Sequence, residues 1–153
     1  GGSKQKKQLI LEAVEFYLTK LIPDGRKRKH IAIDIELVRN LRKNENIEAD
    51  VVFEDEHKTN CFNEFFVRID AGLPLRETLI SLAHELVHVK QYRLGELAQG
   101  PAMKYVWQGQ EIAVDDYYDR PWEIEAFGRQ QGLFIRFAEQ CGYADCAWAH
   151  DPY

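Results

Sequence analysis

From Pro74 to Gly95 the chain reads PLRETLISLAHELVHVKQYRLG, and the leucines in it set the terms for the fold. Leu75, Leu79, Leu82, Leu86 and Val89 recur at helical spacing. Pro74 suits the opening of a helix, because its missing N–H costs nothing in the first turn. Gly95 suits the close. Upstream the period changes. Ile31, Ile33, Ile35 and Leu37 alternate with Ala32, Asp34 and Glu36, the pattern of a strand with one buried face. IEADVVFED (47–55) and NEFFVRID (63–70) read as two further strands, and the polar EDEHKTN (54–60) between them suits a hairpin loop.

Three more segments complete the outline. KKQLILEAVEFYLTKLIP places Leu9, Val14, Tyr17, Leu18 and Leu21 near helical period, predicting a helix over about 5–22 that Pro23 ends. MKYVWQGQEIAV predicts a short hairpin around Gln108-Gly109. YYDRPWEIEAFGRQQGLFIRFAEQCG predicts a helix from Pro121, and the tail YADCAWAHDPY is aromatic and irregular. Asp24-Gly25 marks a turn carrying Arg26, Lys27, Arg28 and Lys29. The expected class is α+β: one domain over residues 4–153, with an N-terminal helix, a small three-stranded, mostly antiparallel sheet, and two later helices. Gly1-Gly2-Ser3 looks like a cloning remnant and is left out of that domain.

Charge and cysteine content narrow the function classes. A net charge of -5 and a pI near 5.6 argue against a dedicated nucleic-acid binder, leaving the Arg26–Lys29 turn as the one local basic patch. No apolar run approaches the roughly 20 residues of a membrane span. Cys61, Cys141 and Cys146 make an odd count, which fits a reducing, cytoplasmic setting.

The chemistry lies in AHELVHVKQY (83–92). Residues four apart share one face of a helix, so His84 and His88 would point at a common ion. Glu85 sits about 100° round the axis, able to reach a water on that ion without ligating it. Leu86 and Val87 face elsewhere and pack the helix into the core. Two ligands, one base and a buried back form the division of labour of a His-Glu-x-x-His zinc helix. A catalytic zinc needs about three protein ligands and an open position. His57 and His150 are candidates by type. The HxxGxxH arrangement is absent, since position 91 is Gln. Glu123, 35 residues after His88 in RPWEIEAFG, is the better candidate. Glu125 is its rival, about 200° away on a regular helix, so both cannot hold one ion. Glu123 would share a face with Phe127 and Gln130, and Glu125 would lie nearer Arg129.

HELVH followed by WEIEA resembles a gluzincin-type zinc metallopeptidase of the zincin clan. The spacing is similar to that of small bacterial and bacteriophage metallopeptidases of the minimal or SprT-like kind. The resemblance covers roughly residues 75–130. It implies a zincin-like fold and a His-His-Glu site in which the first glutamate of Glu-x-x-Ala is the ligand, matching Glu123 and Ala126. It also implies an edge strand that pairs with extended substrate, for which NEFFVRID is the candidate. Several such families carry Asp or Asn after the alanine, where this chain has Phe127. A partner for a ligating histidine must then come from elsewhere, with Asp115, Asp116 and Asp119 as candidates. SprT-like proteins use a third histidine, so the gluzincin pattern is the better match.

The expected activity is a zinc-dependent endopeptidase acting on protein or peptide. Zn2+ would be held by His84, His88 and Glu123 and would acidify a water, with Glu85 as general base. Tyr117 and Tyr118, then Tyr143, are candidates to assist the oxyanion. Trp107 and Trp122 are expected in the core or the cleft wall. Cys141, Cys146 and His150 fall one short of a structural zinc set, so buried, inert cysteines are expected. The alternative for the tail is a latent form in which Cys146 or His150 caps the zinc. The alternative function is a gluzincin-like regulator or binding module whose zinc site serves one partner. A third is a protease of DNA-associated proteins that uses the Arg26–Lys29 turn.

Overall fold

The first apolar stripe ends just before Pro23, as expected, and begins a few residues earlier than expected. In the computed structural model, which describes residues 2–53, 63–100 and 104–150, helix α1 spans Gly2–Leu21 and stops short of Pro23. Its buried face carries Leu9, Ile10, Ala13, Tyr17, Leu18 and Leu21. The basic turn forms a one-turn helix, α2 (Gly25–Arg28), and not the loop expected from Asp24-Gly25. Two bonds explain the difference. The Asp24 carboxylate accepts from the Arg26 N–H, an N-cap. The Arg28 guanidinium donates to the Ile22 carbonyl at 2.6 Å, an acceptor freed by the end of α1. Arg26, Lys27 and Lys29 are exposed.

Strands β1 (Ala32–Val38), β2 (Ala49–Phe53) and β3 (Glu64–Asp70) form one sheet in the order β1-β3-β2. The sheet is mixed and not mostly antiparallel: β1 pairs with β3 in parallel, and β2 pairs with β3 in antiparallel fashion. The connection between β2 and β3, at 54–62, lies outside the described residues. NEFFVRID is therefore the central strand and not an edge. Phe65, Val67 and Ile69 of β3 are fully buried, whereas Asp34 and Glu36 of β1 need water, so the most apolar strand takes the middle. A short helix not expected from sequence, α3 (Leu41–Glu45), joins β1 to β2. It is entered and left through Asn40 and Asn46, both left-handed, a conformation asparagine tolerates well. Asp70, at the end of β3, accepts from the backbone N–H groups of Arg42 and Gly72, and these bonds hold its carboxyl below the usual range.

Helix α4 (Leu75–Arg93) lies against the sheet and is buried along most of its length. Gly95, at φ 73°, ends it. A second sheet follows, formed by β4 (Leu97–Gln99), β5 (Tyr105–Trp107) and β6 (Gln110–Ile112), antiparallel throughout. The expected hairpin turns at Gln108 (φ 48°) and Gly109 (φ 83°), the two positive angles of a twisted two-residue turn. A 3-10 turn at Tyr117–Asp119 leads to α5 (Pro121–Gln140), which packs on α4 and α1. Tyr17 of α1 donates its hydroxyl to the Leu79 carbonyl of α4 at 3.0 Å and sets its ring edge-on to Phe137 of α5. The three long helices thus share one core on one side of the first sheet. The tail turns back at Gly142 and lays Trp148 against Phe134 and Tyr143. No helix among the described residues is long and apolar enough to cross a membrane.

Candidate metal centre

Three side chains from two helices meet in the middle of the molecule. His84 and His88 stand one turn apart on α4, and Glu123 stands in the first turn of α5. The His88 Nε2 lies 2.7 Å from Glu123 Oε1, the His84 Nε2 lies 3.2 Å from Glu123 Oε2, and the two Nε2 atoms are 3.3 Å apart. All three residues are buried, at 5–8% exposure. They are the one group of His, Cys, Asp or Glu among the described residues with ligand atoms close enough to share an ion, all within 4.8 Å.

Glu125 turns away from this group. Its carboxylate takes Lys90 Nζ at 2.7 Å and Gln91 Nε2 at 2.8 Å, with Arg129 at 3.6 Å. Lys90, buried at 7%, also holds Glu96 at 2.8 Å. His150 is exposed in the tail and not part of the group, and His57 and Cys61 lie outside the described residues. Cys141 is exposed and Cys146 half-buried, against the expectation of buried cysteines. The tail packs against α4 and against Phe134 of α5, and no tail residue lines either cleft at the site. The arrangement is not one in which Cys146 or His150 caps the histidines.

The partners of the histidines are glutamines and not the aspartates expected. Asp116 caps the 3-10 turn through the Tyr118 N–H, and Asp115 and Asp119 are exposed. Gln130 Oε1 sits 2.8 Å from His84 Nδ1, and Gln91 Oε1 sits 2.8 Å from His88 Nδ1. Gln130 follows Glu123 by two turns of α5, and Gln91 follows His88 by one turn of α4. Phe127 occupies the position between Glu123 and Gln130 and sets its ring edge-on to His84, with centroids 4.6 Å apart.

Gln91 fixes a proton. Its amide nitrogen donates to the Trp122 carbonyl at 3.0 Å and to Glu125. Burial opposes the Glu125 charge, but hydrogen bonds from Lys90 and Gln91 hold this carboxyl below the usual range. Both neighbours of the amide nitrogen are therefore acceptors, so the oxygen must face His88. An acceptor there puts the hydrogen on Nδ1 and leaves a lone pair on Nε2. That lone pair points at an ionised carboxylate and a second imidazole. Electron-rich atoms converge only around something positive. Without an ion a proton fills the role. Burial works against the charged His88 ring, yet the bond to Glu123 and the charges of Glu85 and Glu123 raise its pKa above the ordinary value. Burial likewise opposes ionisation of Glu123, but the bonds from His84 and His88 hold it far below the carboxylate range.

Glu85 lies beside this group without joining it. It is 7% exposed, and burial pushes its pKa up against the pull of both histidines. It lines two clefts that meet at the site. The larger, about 530 Å³, runs between residues 46–50 and a wall of Tyr117, Tyr118 and Phe127. The smaller, about 230 Å³, is floored by Leu97 and Trp122. Strand β2, an edge of the first sheet, borders both clefts, and so takes the place foreseen for NEFFVRID. Tyr117 lines both as well, and burial with a hydrogen bond to Glu123 raises its phenol well above the usual value. Tyr118 is 70% exposed and lines only the larger cleft. Tyr143 is remote from the site, donating to Glu12 of α1 at 2.5 Å, a bond that pushes its pKa up to about 12. Trp122 is buried and Trp107 packs against it, as expected of core and wall residues. Comparison of this chain with protein-family models, with curated proteins and with solved structures finds no match.

Proposed function

We propose that this chain is a zinc-dependent peptidase with a zincin-like fold of the gluzincin kind, in which His84, His88 and Glu123 hold the ion and Glu85 moves the proton. The observation that carries this reading is the His88 tautomer. The bonds around Gln91 leave the His88 Nε2 lone pair aimed at Glu123 and His84, a donor set of two imidazoles and one carboxylate that suits Zn2+ with a position left open. When bound, such an ion supplies Lewis acidity and brings the pKa of a coordinated water towards about 7.

The chain's own residues supply the rest. Glu85 is buried, has its pKa raised, and lies where the two clefts join. It accepts the proton of the attacking water and passes it to the leaving amine nitrogen. The Tyr117 phenol, beside Glu123, lining both clefts and held protonated, donates to the developing oxyanion. Tyr118, on the outer wall, contacts substrate. Edge strand β2 offers unpaired backbone groups to an extended peptide lying in the clefts.

The test is metal analysis together with hydrolysis of an unfolded protein. One equivalent of zinc, cleavage that stops with a chelator and returns with zinc, is the expected result. Zinc without cleavage would favour the regulator, and absence of a tightly held ion would remove both. A second expectation concerns the glutamine. Gln91→Leu keeps the volume but removes the acceptor from His88, and zinc affinity should fall about 10–100-fold. Competition against a chromogenic chelator measures it, and an unchanged affinity would show that this hydrogen bond does not prepare the ligand.

A further inference from the structure

The smaller cleft contains a cation that no carboxylate among the described residues pairs with. Arg120 lines it together with Glu85, His88 and Glu123. Its guanidinium lies between two tyrosine rings, 5.9 Å from the centroid of Tyr105 and 5.7 Å from that of Tyr117. Its Nε donates weakly to the Val114 carbonyl at 3.4 Å. No carboxylate among the described residues pairs with it, although the chain carries a net charge of -5. Among the other half-buried or buried cations, Arg68 holds Asp50 and Glu45, Lys90 holds Glu96 and Glu125, and Lys6, Arg28 and Arg93 donate to backbone carbonyls; Arg76, over the Phe134 ring, also lacks a carboxylate but lines neither cleft. Arg120 is thus held in place by aromatic faces, which orient a guanidinium without using its hydrogen-bonding fork.

The cleft around it is small. At about 230 Å³ it is less than half the volume of the larger cleft; Val51, Leu97 and Trp122 give it apolar walls, and Asp50 lines it beside the residues of the proposed centre. Such a space accommodates one residue with an apolar side chain, and Arg120 is the one guanidinium in its lining. A planar fork presented at the end of a short pocket matches a carboxylate, which accepts two parallel N–H bonds. In a peptide, the α-carboxylate is the anion that stands one residue beyond the last amide bond.

We propose that Arg120 receives the C-terminal carboxylate of the substrate, so that the bond presented to Glu85 is the last one in the chain. This inference rests on the peptidase reading and narrows its substrate class to peptides with a free C terminus. The final residue occupies the smaller cleft, and the rest of the peptide leaves through the larger cleft along β2. Water adds to the carbonyl carbon of the penultimate residue, the C–N bond breaks, and the nitrogen departs with the proton carried by Glu85. The products are a peptide shorter by one residue, with a new carboxylate, and a free amino acid.

A matched pair of peptides, one a free acid and one a C-terminal amide, tests this on the zinc-loaded full chain, with products read by mass spectrometry. The acid should lose its last residue with kcat/KM at least about tenfold above that for the amide, as expected for one charge-assisted bidentate pair. Arg120→Met should bring the ratio of acid to amide close to one, and Arg120→Lys should restore part of it. Equal cleavage of acid and amide, or cuts at internal bonds only, overturns the role of Arg120 while leaving the peptidase standing. A binding arm is independent of turnover: calorimetry with the Glu85→Gln protein should give a lower Kd for the acid than for the amide, a difference lost in the Glu85→Gln, Arg120→Met double variant. If neither peptide is cut, the peptidase reading fails, and this arm still decides Arg120: equal Kd values for acid and amide overturn it.

Discussion

Glu85→Gln is expected to bind zinc as the parent does and to lower kcat for peptide hydrolysis about 10²–10⁴-fold, the usual contribution of a positioned general base. The two side chains are nearly isosteric, and Glu85 supplies no ligand atom to the His84–His88–Glu123 group. The amide cannot accept a proton at neutral pH, so the change removes one capacity and leaves the shape. Burial already disfavours the Glu85 charge, so the neutral amide should fold at least as well as the parent. Metal analysis, a thermal melt and a peptide assay on the same preparation separate the three quantities. A variant that holds zinc and cleaves at the parent rate would take the base role from Glu85.

The second large effect separates two glutamates only two positions apart. Glu123→Ala should weaken zinc binding by more than the about 100-fold that loss of a supporting residue costs, because it removes a proposed ligand. It should also lower the stability of the ion-free protein, where the carboxylate accepts from both buried imidazoles. Glu125→Ala should act on stability with little effect on the ion. It strips Lys90 and Gln91 of an acceptor, costing about 1–3 kcal/mol of stability. Lys90 keeps Glu96, which limits the loss. Zinc affinity should fall by no more than about tenfold, through the loosened Gln91. Chelator competition and urea unfolding on both variants give the comparison. If Glu125→Ala loses the ion and Glu123→Ala keeps it, the ligand assignment is reversed.

That these glutamates divide as they do was legible in the sequence, because their directions depend only on helical geometry. Glu123 was expected on the face of Phe127 and Gln130, and Glu125 near Arg129, and both hold. The same local rules gave α1, α4, α5 and the Gln108-Gly109 hairpin. What could not be read depends on contacts distant in sequence. The order β1-β3-β2 follows from which strand the helices cover, so the parallel pairing and the central place of NEFFVRID were not visible from alternation alone. Helix α3 is five residues long and carries one buried anchor, Leu41, too little for a periodic signal. Gln91 and Gln130 were in view as residues, one as the position that breaks HxxGxxH, but their amides acquire a role only when α5 is laid against α4.

Among the described residues one border of β2 is free, with a consequence for how copies of this protein meet. An unpaired strand edge is an invitation to zip onto another molecule, and this one carries half-exposed Val52. Yet Glu48, just before the strand, is well exposed and only loosely paired with Arg42 at 3.8 Å, whereas Asp50 is neutralised by Arg68. Two identical borders brought together would each present the same Glu48, and self-association there works against like charge. An edge that the proposed function leaves to a substrate is thereby guarded against a twin, and the protein is expected to stay unaggregated along it most firmly at low ionic strength.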